Sequence, residues 1–174
     1  MLISHKVNRY SKKLRKTKAA SPSFLPGISR PIMDEQTGFI CHPTGFPLDI
    51  KVLRLWERLP ESSMEHENGG MGVIFTTERY IKPGSALEIE IPVRNGTESF
   101  RGRVVLVRNH GDSFEIGLLL CRRDDTHRIR MVEQFCHIET YLQEKKYLEG
   151  PYCINRDQAA KEWIAKYAAS VPSL

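Results

Sequence analysis

The sequence predicts a mainly β protein: a small six-stranded antiparallel barrel with α-helices at its C-terminal end. Three observations predict it. Apolar residues alternate with charged ones at a period of two from about residue 47 to residue 120. Tight-turn signals punctuate that region at short intervals. The period then switches to one of helical spacing. Closure into a barrel is the expected way for such short strands to remove their exposed edges.

The chain begins with a basic stretch. Residues 1–30 hold eight of the 26 Lys and Arg (Lys6, Arg9, Lys12, Lys13, Arg15, Lys16, Lys18, Arg30) and no Asp or Glu. The remainder carries 18 basic against 21 acidic residues, a net charge of −3, so the overall +5 comes from the arm. Residues 1–30 therefore read as a flexible arm drawn to anions. Lys12–Lys18 can form a short helix only on a partner, because its like charges repel. Ala19-Ala20-Ser21-Pro22-Ser23 and Pro26-Gly27 make a breaker-rich linker.

In the next unit, residues 31–125, Ile50 and Val52 alternate with Asp49 and Lys51 before the phase slips to Leu53 and Leu55, which suggests a bulge. Met71-Gly72-Val73-Ile74-Phe75 follows Gly69-Gly70. The turn Lys82-Pro83-Gly84 leads into Leu87, Ile89, Ile91 and Val93, alternating with Glu88 and Glu90. Asn95-Gly96 is the strongest short hairpin signal. Phe100, Gly102, Val104 and Leu106 come next, interleaved with Arg101 and Arg103. His110-Gly111-Asp112 turns into Phe114, Ile116, Leu118 and Leu120.

Residues 126–174 form the helical extension. Asp124, Asp125 or Thr126 can cap a helix with Ile129, Val132, Phe135, Ile138 and Leu142 on one stripe. Gly150-Pro151 breaks it. Asn155 or Asp157 then caps a second helix whose face is Ala160, Trp163, Ile164, Tyr167 and Ala168. These stripes must bury against the barrel, each other, a second copy of the chain or a partner groove, where Trp163 and Tyr167 would serve as anchors.

Composition narrows the classes. With 40% hydrophobic and 27% charged residues the 174-residue chain is that of an ordinary globular protein. No apolar run reaches the ~20 residues of a spanning helix, and no secretory signal opens the chain. Cys41, Cys121, Cys136 and Cys153 show no zinc or redox spacing and read as reduced thiols of a cytoplasmic protein. The pairs Cys41-His42 and Cys136-His137, with Cys121 and His127, lack clustered ligand spacing, so no metal is expected and Cys136 is placed in the core stripe beside Phe135. No nucleophile elbow, HExxH or phosphate loop occurs, and Glu65 and Glu67 sit on a glycine-rich loop with no sign of burial. No enzyme activity, catalytic residue or cofactor is expected.

The ordered set of a Gly-Gly pair opening a strand, a Lys-Pro-Gly turn, an Arg-Gly-Arg-Val-Val strand and a final Phe-Glu-Ile-Gly-Leu strand before a helix resembles the PilZ domain. That family is a six-stranded barrel serving bacteria as a receptor for cyclic di-GMP, and the resemblance covers roughly residues 45–148. It implies two ligand signatures. One is an RxxxR pair that clamps phosphates and guanine edges. The other is a [D/N]xSxxG turn. Aligned on Gly70, the turn reads Glu65-His66-Glu67-Asn68-Gly69-Gly70, with the acid lengthened and the serine replaced by Glu67. Where RxxxR belongs the chain reads Cys41-His42-Pro43-Thr44-Gly45-Phe46; Arg30 stands alone upstream, and Arg9-x-x-x-Lys13 is too distant. Losing two arginines removes charge-assisted bonds of ~1.5–3 kcal/mol each, enough to move micromolar binding towards millimolar.

The resemblance thus implies a regulatory module of bacterial cyclic di-GMP signalling, in motility or biofilm control, with weak or absent nucleotide binding. It would act through a protein partner, and the C-terminal helices offer a route to a homo-oligomer. Candidate ligand contacts are Glu65, Glu67, Asn68, Gly70, Arg101, Arg103 and Arg30. The row Arg101, Arg103 and Arg108, with Arg122 and Arg123 beyond, could bind a phosphorylated ligand but reads rather as a solvated face balanced by Glu88, Glu90 and Glu115. The competing class is a nucleic-acid-binding barrel with the arm as electrostatic clamp, although the strands lack interleaved exposed aromatics.

Overall fold

The computed structural model describes residues 17–18, 32–54, 71–150 and 155–167. Its strands are β1 (Thr17–Lys18), β2 (Ile40–Cys41), β3 (Asp49–Val52), β4 (Gly72–Thr77), β5 (Ala86–Val93), β6 (Gly96–Asn109) and β7 (Phe114–Leu120); its helices are α1 (Asp125–Glu149) and α2 (Arg156–Tyr167). The strand order is β1-β3-β5-β6-β7-β4-β2. The expected β class and the two C-terminal helices are therefore present.

Two features depart from the antiparallel barrel. The sheet is mixed, because β2 runs parallel to β4, with Ile40 opposite Val73 and Cys41 opposite Ile74. It is also open: β1 and β2 end the order and do not pair with each other among the described residues. The parallel pair follows from how the chain enters. Residues 32–41 fold back on themselves, Met33 bridging Ile40 and the Asp34 amide donating to the Phe39 carbonyl at 2.9 Å, and this directs β2 along β4. In the arm, Thr17 and Lys18 pair with Ile50 and Asp49 as an edge strand rather than a helical turn.

The turns fall where glycine permits them. Gly84 (φ +81°) and Gly111 (φ +80°) take left-handed conformations in the two predicted loops. The β5–β6 hairpin closes with Val93 opposite Gly96, so Arg94 and Asn95 form its two-residue tip. The bulge, however, lies in β6 between Val104 and Leu106, where Val105 is pushed outward, and not after Val52. The phase slip at Leu53 is instead the end of β3, with the Leu53 amide still donating to the Ala86 carbonyl.

Leu87, Ile89 and Ile91 of β5, Phe100 and Val104 of β6, Ile116 and Leu118 of β7, and Val73 and Phe75 of β4 make the main core, which Ile129, Val132 and Cys136 of α1 cover. Ile74 points to the opposite face, where it packs with Phe39 and Cys41. That double burial explains why β4 reads as a continuous apolar run while β5 alternates. Gly102 keeps β6 and β7 close. A Cβ there would sit 2.6 Å from Leu118 Cγ and closer still to the Leu119 carbonyl oxygen. Gly102→Ala is expected to cost about 1–3 kcal/mol by overpacking, read as a lower urea midpoint; an unchanged midpoint would contradict this tight packing.

Asp124 holds the N-cap position of α1 without a side-chain cap bond, whereas Asn155 Oδ1 accepts from the Gln158 amide at 2.8 Å at the start of α2. The far half of α1 carries α2. Leu142 meets Ala159, Trp163 stacks on His137, and Glu162 pairs with Lys145. The buried face of α2 is Ala159 and Trp163, with Ile164 exposed, so the helix is turned slightly from the expected stripe. Trp163 is therefore an internal anchor and not one presented to a partner.

Candidate functional site

Of the sequence-derived ligand contacts, Arg30, Glu65, Glu67, Asn68 and Gly70 lie outside the described residues. Arg101 and Arg103 lie on β6 on either side of the buried Gly102, so strand alternation sends both side chains to the outer face. They meet different surroundings. Arg101 stands directly opposite Glu88 and its Nε donates to that carboxylate, with Lys51 on the far side of Glu88 at 3.9 Å. Lys51, Glu88 and Arg101 thus form a charge ladder across β3, β5 and β6. Arg103 faces Ala86 and Leu119 and has no carboxylate partner among the described residues.

Arg108, further along β6, is held by carboxylates. Its Nη1 donates to Asp34 at 2.8 Å and to Glu115 at 3.0 Å, and its Nη2 donates to Gln36 at 2.8 Å. The Thr37 amide and hydroxyl add two further bonds to Asp34, at 2.9 and 2.7 Å. With Arg108 as the largest cause and Thr37 next, the Asp34 carboxyl is lowered to about 2. A depressed carboxylate contributes stability above its unfolded value of 3.8 and loses it as pH falls towards 2. Asp34→Asn is therefore expected to flatten the stability profile between about pH 4 and pH 2, measured as thermal midpoint against pH; an equally steep profile in the variant would exclude this network as the cause.

A second constellation is buried between the segment after β2 and the first half of α1. His42 is 5% exposed, Glu133 1% and Cys136 0%. His42 Nδ1 lies 3.0 Å from both Glu133 oxygens and His42 Nε2 lies 3.2 Å from the Phe46 carbonyl oxygen. The Phe46 carbonyl can only accept, so Nε2 carries hydrogen; facing an ionised Glu133, Nδ1 donates as well and the ring is an imidazolium. Burial alone pushes the imidazole down, but the Glu133 charge and its hydrogen bond outweigh burial and the net direction is upward. His137 differs: burial lowers it, and its Nε2 donates to the Cys41 carbonyl at 2.8 Å. Burial and the neighbouring Glu133 push the Cys136 thiol well up.

Helical spacing brings Glu133, Cys136 and His137 together, since residues three and four apart share a face. The sequence singled out Cys136-His137 and Cys41-His42 as pairs and missed Glu133. The spacing Glu133-x-x-Cys136 was a readable signal, but nothing local places His42 against it across 91 positions. As expected, Cys136 lies in the core. No family model matches the chain, and neither a curated protein nor a solved structure matches it.

Proposed function

We propose that the chain is a PilZ-like regulatory module of bacterial cyclic di-GMP signalling, in motility or biofilm control, that acts through a protein partner and holds the dinucleotide weakly or not at all. What supports the kinship is the order of elements from Gly72 to α1. The Lys82-Pro83-Gly84 turn, the β5–β6 hairpin and the β6–β7 loop join antiparallel strands in the sequence expected of that barrel. In this reading the open edges at β1 and β2 are the seam of the barrel.

The observation that carries weak nucleotide binding is the Glu88–Arg101 pair. A guanidinium already bonded to a cross-strand carboxylate must break that contact before it can clamp a phosphate, and Arg108 is held in the same way by Asp34 and Glu115. Arg103 alone of this row remains for an anion among the described residues. Partner contact falls on the helical extension, where Leu148 and Ile164 are 69% and 51% exposed and can join two copies or dock another protein. No helix among the described residues is long and apolar enough to cross a membrane.

Titration calorimetry of the whole chain with cyclic di-GMP tests the proposal. The expected result is no binding tighter than about 100 μM, a free energy weaker than about −5.5 kcal/mol. Sub-micromolar affinity would overturn it. Salt-dependent binding of generic DNA or RNA that survives removal of residues 1–30 would favour the nucleic-acid reading instead. Against that reading, no strand among the described residues carries an exposed aromatic side chain for base stacking.

A further inference from the structure

The geometry points to a zinc site formed by His42 Nδ1, a Glu133 carboxylate oxygen and Cys136 Sγ. These three atoms lie within 4.8 Å of one another and all three residues are buried. An imidazole, a carboxylate and a thiolate are the donor set of a borderline-soft divalent cation, and they exclude magnesium and calcium, which take oxygen ligands.

Three further features fit a metal better than chance proximity. First, Glu133 and Cys136 are one helical turn apart on α1, a rigid element, so two ligands are fixed relative to each other before the third arrives. Second, His42 Nε2 faces the Phe46 carbonyl. Metal-bound histidines commonly donate their second ring N–H to a backbone carbonyl, which fixes the tautomer and turns the other nitrogen to the metal. Third, the charges match: a carboxylate and a thiolate together neutralise a dication, so the loaded site would put no net charge into the core. Water completes a fourth position where protein supplies three ligands. The metal would tie the segment after β2 to α1, away from the regulatory surface proposed above.

Metal content and cobalt substitution test this on the whole chain. Protein purified without chelator is expected to hold one zinc per chain. Calorimetry with zinc chloride should give one-to-one binding accompanied by proton release, because the thiol must deprotonate to ligate. Replacing zinc with Co(II) should produce a thiolate-to-cobalt band in the near ultraviolet. Cys136→Ser should abolish that band and weaken zinc binding more than about 100-fold, beyond the effect of losing an outer-shell contact. Cys121→Ser, which alters another buried thiol, should change neither. Circular dichroism checks that each variant folds, and His42→Gln replaces Cys136→Ser if the latter does not. Zinc below one-tenth of an equivalent in folded wild type, or a cobalt band that survives Cys136→Ser or is lost in Cys121→Ser, overturns the assignment.

Discussion

In metal-depleted protein, Glu133→Leu is expected to lower the unfolding free energy by about 3–5 kcal/mol, measured by urea denaturation near pH 6. The loss arises because His42 stays buried at 5% exposure with no carboxylate to balance its charge. The imidazole must then either remain charged in a low-dielectric core or give up its Nδ1 proton. Replacing His42 and Glu133 together by Leu should recover more than half of that loss, since well-packed apolar residues can substitute for a buried pair. Recovery stays incomplete because the Phe46 carbonyl loses its donor. Additive losses in the double variant would show that the two residues do not act as a pair.

The pH dependence separates the two proteins further. In the wild type His42 is raised above 6.5, so its contribution is complete below that value and is lost as pH rises through the folded value. Without Glu133, burial is left as the main influence and the direction reverses. The variant should therefore gain stability as pH rises through about 6.5. His137 is lowered by burial in the wild type and loses the opposing Glu133 charge in the variant, so its slope keeps that sign in both proteins and only His42 reverses direction.

What could be read in advance follows the range of the interactions. Period-two alternation in β5 and the turn glycines at 84 and 111 are local properties, and each element they mark is present. Asn155 capping α2 is equally local. The parallel β2–β4 pair was not legible, because Ile40 and Cys41 are only two residues long and their partner lies more than thirty positions away. Val105 illustrates a subtler limit. Val104, Val105 and Leu106 are all apolar, so a bulge that sends Val105 outward leaves no mark on the pattern, whereas the end of β3 at Val52 leaves one that mimics a bulge. Charge pairing was half legible. Opposite signs on β5 and β6 suggested a balanced face, and Glu88 does meet Arg101. Asp34 reaches Arg108 from a loop 74 positions away, which no period could reveal.

Trp163→Ala is expected to release α2 while leaving the sheet folded. Trp163 is 4% exposed, its ring stacks on His137 with centroids 6.0 Å apart, and the adjoining Tyr167 ring is 5.7 Å away. Truncating a buried Trp costs about 3–5 kcal/mol, and here that cost falls on one interface, because the other buried residue of α2 is the small Ala159. A 12-residue helix is marginal alone in water, so undocking and unfolding of α2 become the same event. Amide exchange across residues 156–167 should quicken by about 100-fold or more at 1.4 kcal/mol per tenfold. Amides of β5 to β7 should exchange as before, since the core they close is covered by Ile129, Val132 and Cys136 rather than by α2. Lys145–Glu162 does not replace the ring, because a part-exposed ion pair between two long flexible side chains is screened by solvent and costs side-chain entropy to hold. Unchanged protection over α2 would mean that its hold on α1 lies elsewhere. Simultaneous loss of protection in the strands would mean that helix and sheet fold as one unit, and that a partner engaging Ile164 could not separate them.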